Sequence, residues 1–229
     1  MQMPLFRRGG ARSGAGRKPK GPSAGASHAA RPEITAALPM HVTIRVLSSI
    51  PALRQPRMYA AIRAATAAAH LQPAFRIVHV SIQNTHLHAI VEADDKGALA
   101  RGMQSFQISA ARRINMLLNR RGRVFADRYH LVVIRSPTQM RHVLAYVLAN
   151  FRKHQADRRT TPGWLIDPYA SGFAFDGWKE LRNGATLWPP TVVTSGLVVK
   201  PGRSWLLAIG WQRGGPPLSV HDVPGRRPD

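Results

Sequence analysis

Two strand-length apolar segments lie almost back to back in this chain, AFRIVHVSI over residues 74–82 and THLHAIVE over 85–92. The Gln83-Asn84 pair between them suits a tight reversal, so the two segments are expected side by side and antiparallel. Everything else in the fold has to be arranged around that hairpin.

Upstream, HVTIRVL (41–47) alternates as a strand, with Val42, Ile44 and Val46 on one face. Residues 56–70 are Ala-rich, and Met58, Ile62, Ala65 and Ala69 recur at helical spacing before Pro73 ends the segment. Downstream, a long helix is predicted from Asp94, with Leu99, Met103, Phe106, Ala110, Ile114 and Leu117 as its apolar stripe and Gly122 as its stop. Residues 123–134 read as a fourth extended stretch. Ser136-Pro137-Thr138-Gln139 then has the form of a helix start, with Ser136 as N-cap and Gln139 closing a capping box. That helix is expected to run to about residue 155. The resulting order, β-α-β-β-α-β-α, predicts an α+β fold, a ferredoxin-like antiparallel sheet with helices.

The flanks differ in composition. Residues 1–36 are read as a flexible basic arm, because a mixture of Gly, Ala, Pro, Ser and basic residues buries too little apolar surface to offset its ordering entropy. Residues 37–156 hold these elements and form the expected central domain. Residues 157–229 are Pro- and Gly-rich, with apolar islands at 172–178, 191–199 and 204–211, and are expected to pack on that domain as an extended tail.

Charge narrows the choice of partner. The chain carries 33 Lys and Arg against 11 Asp and Glu, a formal charge of +22. Nucleic acid is the natural polyanion to offset it, through release of counterions condensed on phosphates. No apolar run approaches membrane-spanning length, and the N-terminal residues lack an apolar signal core, so a cytoplasmic, nucleoid-associated protein without a membrane partner is expected. Cysteine is absent, which excludes disulfides, thiolate metal sites and a Cys nucleophile.

Within the hairpin, His86 and His88 lie two apart and share one face of their strand, while Leu87 points to the other. On the last helix, His142, Tyr146 and Asn150 recur at one-turn intervals, opposite the stripe of Met140, Leu144, Val147 and Phe151. Two imidazoles and one amide oxygen make a plausible three-donor divalent site with positions left open for phosphate and water. A tyrosine beside a polarised phosphodiester can act as nucleophile. Each element also has an ordinary reading, as sheet surface, helix surface or a solvated amide.

The stretch His86-Leu87-His88 resembles the His-hydrophobic-His motif of the HUH endonucleases, and GRVFADRYHLVVIRSPTQMRHVLAYVLANFRKH (122–154) resembles the REP-associated tyrosine transposases, single-tyrosine members of that group. The resemblance spans roughly residues 40–155, and SWLLAIGW (204–211) is similar to the tail of some members. It implies that His86, His88 and Asn150 hold Mg2+ or Mn2+ and that Tyr146 is the nucleophile. It further implies cleavage of single-stranded DNA near a REP or similar palindromic hairpin, through a 5′-phosphotyrosyl link that leaves a free 3′-hydroxyl, by a monomer or homodimer. Phe151 follows Asn150 where family helices often carry proline.

Tyr129, between Arg128 and His130, competes for the nucleophile's role, although a tyrosine there can equally stack on a base or fill the core. Arg128, Arg135, Arg141 and Lys153 are candidate phosphate contacts. Glu92 shares the His86/His88 face and is an auxiliary ligand candidate or a strand-end surface residue.

Two other functions stay open. His41-Val42-Thr43 and His79-Val80-Ser81 resemble the paired motifs of the 2H phosphoesterases, which act on RNA ends without metal. A catalytically silent protein binding hairpin DNA or RNA would share the charge and the fold, although the third strand lacks the base-stacking aromatics of RNA-recognition sheets.

Overall fold

The computed structural model describes residues 32–153, 165–184, 187 and 196–225. The greater part of the expected basic arm and residues 191–195 of the second tail island lie outside them. The elements follow the order β1 (Met40–Arg45), α1 (Pro56–Ala69), β2 (Phe75–Ile82), β3 (His86–Ala93), α2 (Lys96–Leu117), β4 (His130–Val133), α3 (Pro137–Lys153) and a short α4 (Trp205–Ala208). The four strands pair antiparallel in the spatial order β2-β3-β1-β4. This is the α+β, ferredoxin-like arrangement that the element order predicts.

The sheet is covered on both faces, and strand alternation decides which side chain goes where. Val42, Ile44, Leu87, Ala89 and Val91 point into one core, where they meet Met58, Ile62, Met103 and Phe106 of α1 and α2. On the opposite face Ile90 packs against Met140, Leu144, Val147 and Leu148 of α3, together with Trp178 and Trp211 from the C-terminal segment. Close approach of α2 to the sheet depends on Gly102, since a Cβ there would lie 2.1 Å from the Phe75 ring.

Several boundaries differ from the sequence-based expectation. The helix read as starting at Asp94 is capped by Asp95, whose carboxylate accepts from the Ala98 N–H at 2.7 Å. It ends before Gly122, because Asn119 takes a left-handed conformation (φ 46°). The Asn119 and Arg120 N–H groups then bond back to the Met116 and Asn115 carbonyls, a Schellman closure built on asparagine. The fourth strand is only four residues long. Ahead of it Phe125 makes an isolated bridge to Val46, and a bend over 126–128 separates the two pairings.

Helix α3 begins as read, with the Gln139 N–H donating to Ser136 Oγ (3.2 Å), but the Gln139 side chain accepts from Arg135 N–H rather than from Ser136. It departs from helical geometry at Ala149 (φ −115°, ψ 18°). The C-terminal segment lies along its outer side. Arg141 Nε donates to the Pro216 carbonyl and Arg152 Nε to that of Val220, each at 2.6 Å.

Candidate functional site

The site is assembled where α3 crosses the polar half of the sheet's second face. Register aligns Ser81, His88, Thr43 and His130 in one row across β2, β3, β1 and β4, with His86 opposite Arg45 in the next. Because directly opposed residues share a face, the apolar partners of each strand stay in the first core while this row faces α3.

His88 is the centre of the arrangement and is only 4% exposed. Its Nε2 lies 3.0 Å from His86 Nε2 and 3.3 Å from the Tyr146 hydroxyl. The His88 and Tyr146 ring centroids are 4.8 Å apart in an edge-on contact. Residues predicted from two separate motifs, fifty-eight positions apart across the His88–Tyr146 contact, are thus brought within hydrogen-bonding reach. On its other side His88 Nδ1 meets His41 Nε2 and Thr43 Oγ1, both at 3.2 Å. The His86 Nδ1 has Thr85 Oγ1 at 3.2 Å. His41, half-buried, has its pKa lowered to about 4, first by burial and then by the neighbouring His130.

Asn150 lies one turn beyond Tyr146, directly after the break at Ala149, and is fully buried. Neither its Oδ1 nor its Nδ2 has a hydrogen-bond partner. A buried amide left unpaired costs about 1–3 kcal/mol, so the Asn150 side chain is a feature the fold tolerates at a cost. Among the described residues no cluster of three or more His, Asp or Glu side chains is arranged around a metal position. Two imidazoles and an amide are therefore the donors on offer. The 3.0 Å spacing of the two Nε2 atoms would suit two donors on a small divalent cation, which takes N and O donors at about 2.0–2.1 Å, and the unpaired Asn150 amide is one helical turn beyond Tyr146.

The other candidates are distributed as follows. Lys153 Nζ sits 5.3 Å from the centre of the Tyr146 ring and is exposed. Arg128 and Arg135 are exposed as well. Arg141 is committed to the C-terminal segment through Pro216 and a 3.7 Å approach to Asp222. Tyr129 packs at the edge of the first core, beside α2, on the side of the sheet away from His88. Glu92 is neither a ligand nor a surface residue. It is buried in an ion pair with Arg76 (2.9 Å) and accepts from the backbone N–H groups of Arg203 and Ser204, because the C-terminal segment closes over that end of β3. His79 is buried too, its Nδ1 3.2 Å from Ser171 Oγ and its ring edge-on to Phe175.

Sequence reading by single motifs missed His41 and Thr43 as neighbours of His88. The signal was present as the alternation of His41-Val42-Thr43, but only the β1–β3 register joins it to the histidine pair.

No family model matches this chain, and no curated protein matches it. Among solved structures, it is similar to a REP-associated tyrosine transposase bound to a REP hairpin, with a TM-score of 0.50 and 15% identity over 76% of this chain and 98% of that one. A candidate transposase from Deinococcus radiodurans is more distant, with a TM-score of 0.36 and 9% identity over 59% of this chain and 98% of that one. The fold is that of the first of these. Among the described residues no helix is long and apolar enough to cross a membrane.

Proposed function

We propose that this chain is a metal-dependent single-stranded DNA endonuclease and strand transferase of the tyrosine transposase kind, acting beside DNA hairpins. The observation that carries the reading is the approach of the Tyr146 hydroxyl to within 3.3 Å of His88 Nε2, itself 3.0 Å from His86 Nε2. A potential nucleophile and a pair of potential metal donors converge on one point, on the fold of a protein whose structure was solved with a REP hairpin.

His86, His88 and Asn150 would hold Mg2+ or Mn2+, which when bound supplies Lewis-acid polarisation of a non-bridging phosphate oxygen. Tyr146 Oη attacks the phosphorus and gives up its proton. A bond forms between that oxygen and phosphorus, and the bond from phosphorus to the 3′ oxygen breaks. The leaving oxygen takes up a proton to become a free 3′-hydroxyl, while the 5′ side stays esterified to the tyrosine. Since one phosphodiester replaces another, a 3′-hydroxyl can reverse the step and join a new strand. Arg128, Arg135 and Lys153 offer cationic contacts to the flanking phosphates, which hold the strand without reading its sequence.

The test incubates the protein with 5′- and 3′-labelled single-stranded hairpin substrates and Mn2+, then looks for an adduct that survives denaturation. Label on the 3′ fragment is expected to travel with the protein. Tyr146→Phe is expected to abolish the adduct and Tyr129→Phe to retain it. Absence of any adduct across a broad hairpin library would overturn the catalytic reading and leave a binding protein. Hydrolysis of a cyclic phosphate that survives both chelator and Tyr146→Phe would instead favour the metal-free phosphoesterase chemistry.

A further inference from the structure

The motif His41-Val42-Thr43 has no part in the chemistry above, yet two of its three side chains lie against the central histidine. Val42 is buried in the first core, and alternation sends His41 and Thr43 to the other face of β1. Thr43 is directly opposite His88 in the ladder, and His41 is its diagonal neighbour. Both reach the same atom: His41 Nε2 and Thr43 Oγ1 are each 3.2 Å from His88 Nδ1.

We propose that His41 and Thr43 are positioning residues that accept a hydrogen bond from the Nδ1–H of His88 and so keep its Nε2 as a lone pair facing His86 and Tyr146. The inference deepens the metal-assisted reading and rests on it. Its physical basis is the complementarity of the two imidazole nitrogens. A neutral ring with an open Nε2 must carry its proton at Nδ1, and that N–H needs an acceptor to define both the tautomer and the ring's orientation. Thr43 offers hydroxyl lone pairs. His41 offers Nε2 when its own proton sits on Nδ1. Two acceptors on one N–H hold the ring from two directions, and the His41 ring also packs edge-on to Tyr146 at 5.9 Å between centroids. His41 thus lies against both the proposed ligand and the proposed nucleophile.

His86 has a simpler counterpart. Its Nδ1 is met by Thr85 Oγ1 at 3.2 Å, but that contact is exposed and made by the adjacent residue. The support for His88 comes from a different strand and is partly buried, so it reports on how the sheet is paired as well as on the ring. A purely space-filling role for residues 41 and 43 would need no lone pair at either position, and this is the distinction an experiment can read.

The measurement uses the full chain. Long-range 15N–1H correlation of the imidazoles reads the His88 tautomer directly in metal-free protein, and Mn2+ titration followed by electron paramagnetic resonance reads affinity. Wild-type His88 is expected as the Nδ1–H tautomer. The double variant His41→Phe/Thr43→Val is expected to lose that preference and to weaken Mn2+ binding roughly 10- to 100-fold, the usual range for loss of a ligand's outer support. Restoring a hydroxyl with Thr43→Ser in the His41→Phe background is expected to recover most of the affinity, which a packing role would not produce. A wild-type His88 carrying its proton on Nε2 would overturn the proposal without recourse to any variant. So would unchanged Mn2+ affinity in the double variant when His88→Ala abolishes binding, and in that case the metal reading survives. If His88→Ala binds Mn2+ as wild type does, the metal reading itself fails and the proposal fails with it.

Discussion

Glu92 and Arg76 face each other across β3 and β2 with Oε2 and Nη1 2.9 Å apart, and the carboxylate also takes the backbone N–H groups of Arg203 and Ser204. One side chain therefore joins β2 and β3 to the C-terminal segment more than a hundred residues away in sequence. Burial alone would push this carboxyl up, but the hydrogen bonds from Ser204, Arg203 and Arg76 outweigh it and hold the pKa below the ordinary 4.5.

Replacing Glu92 by Leu is accordingly expected to cost about 3–5 kcal/mol, because it leaves the buried Arg76 charge without its partner. The folded carboxyl is depressed, so its contribution is complete above the unfolded value near 4.5 and is lost as pH falls through the folded one. Urea melts at pH 7 and at pH 3.5 would show the wild type losing stability in acid and the Leu variant losing less. Equal losses in the two proteins would remove Glu92 from this role.

His79 makes a second acid-sensitive element, on a different basis. Ser171 Oγ accepts the Val80 N–H at 2.9 Å, so its own hydrogen is free to go to His79 Nδ1, and the ring is held neutral. Burial lowers its pKa from 6.5 to about 4. Between those values the unfolded chain binds the extra proton and the folded one does not. Stability from this group is full above pH 6.5 and falls as pH drops toward 4, with a limiting slope of about 1.4 kcal/mol per pH unit. His79→Gln should flatten the measured slope by about that amount between pH 6 and 5. An unchanged slope would mean that the proton is taken up elsewhere.

In the proposed function, Asn150 sets folding stability against metal binding. Its buried amide has no partner, so Asn150→Leu, close in volume, is expected to stabilise the metal-free chain by about 1–2 kcal/mol. On the proposed function Mn2+ is expected to stabilise the wild type by mass action, and the same change should erase that gain. Thermal melts in chelator and in excess Mn2+ separate the two effects. A Leu variant that is less stable without metal, yet still raised by Mn2+, would take Asn150 out of the donor set.

How much of this could be read in advance follows from the range of each interaction. His86, His88 and Tyr146 were legible because strand alternation and helical repeat are local rules, and each places a side chain from a few neighbouring residues. The hairpin and the antiparallel sheet followed from the same periodicities. Thr43 and His41 needed the β1–β3 register, which alternation does not supply. Glu92 was misjudged for a related reason: alternation put it on the right face, but its partners come from β2 and from residues 203–204. The early end of α2 reflects a competition between turn formers, in which Asn119 took the left-handed position ahead of Gly122.

The cationic side chains divide by what already holds them, and salt dependence can measure the division. Each phosphate neutralised on a single strand contributes about 0.7 to the slope of log K against log salt. Arg135 is exposed, and the salt bridges among the described residues involve Arg54, Arg76 and Arg141 rather than Arg135. Arg135→Ala is therefore expected to weaken binding about equally for all strand sequences and to lower the slope by about 0.7. Arg141 differs, because its guanidinium holds the Pro216 carbonyl and approaches Asp222. Arg141→Ala should leave the slope nearly unchanged and instead lower thermal stability by loosening the C-terminal segment from α3. Fluorescence anisotropy with a labelled single strand over a range of KCl concentrations supplies the slopes, and calorimetry supplies the melting temperatures. If Arg141→Ala lowers the slope as much as Arg135→Ala while stability is preserved, the guanidinium exchanges its tail contacts for phosphate when DNA binds.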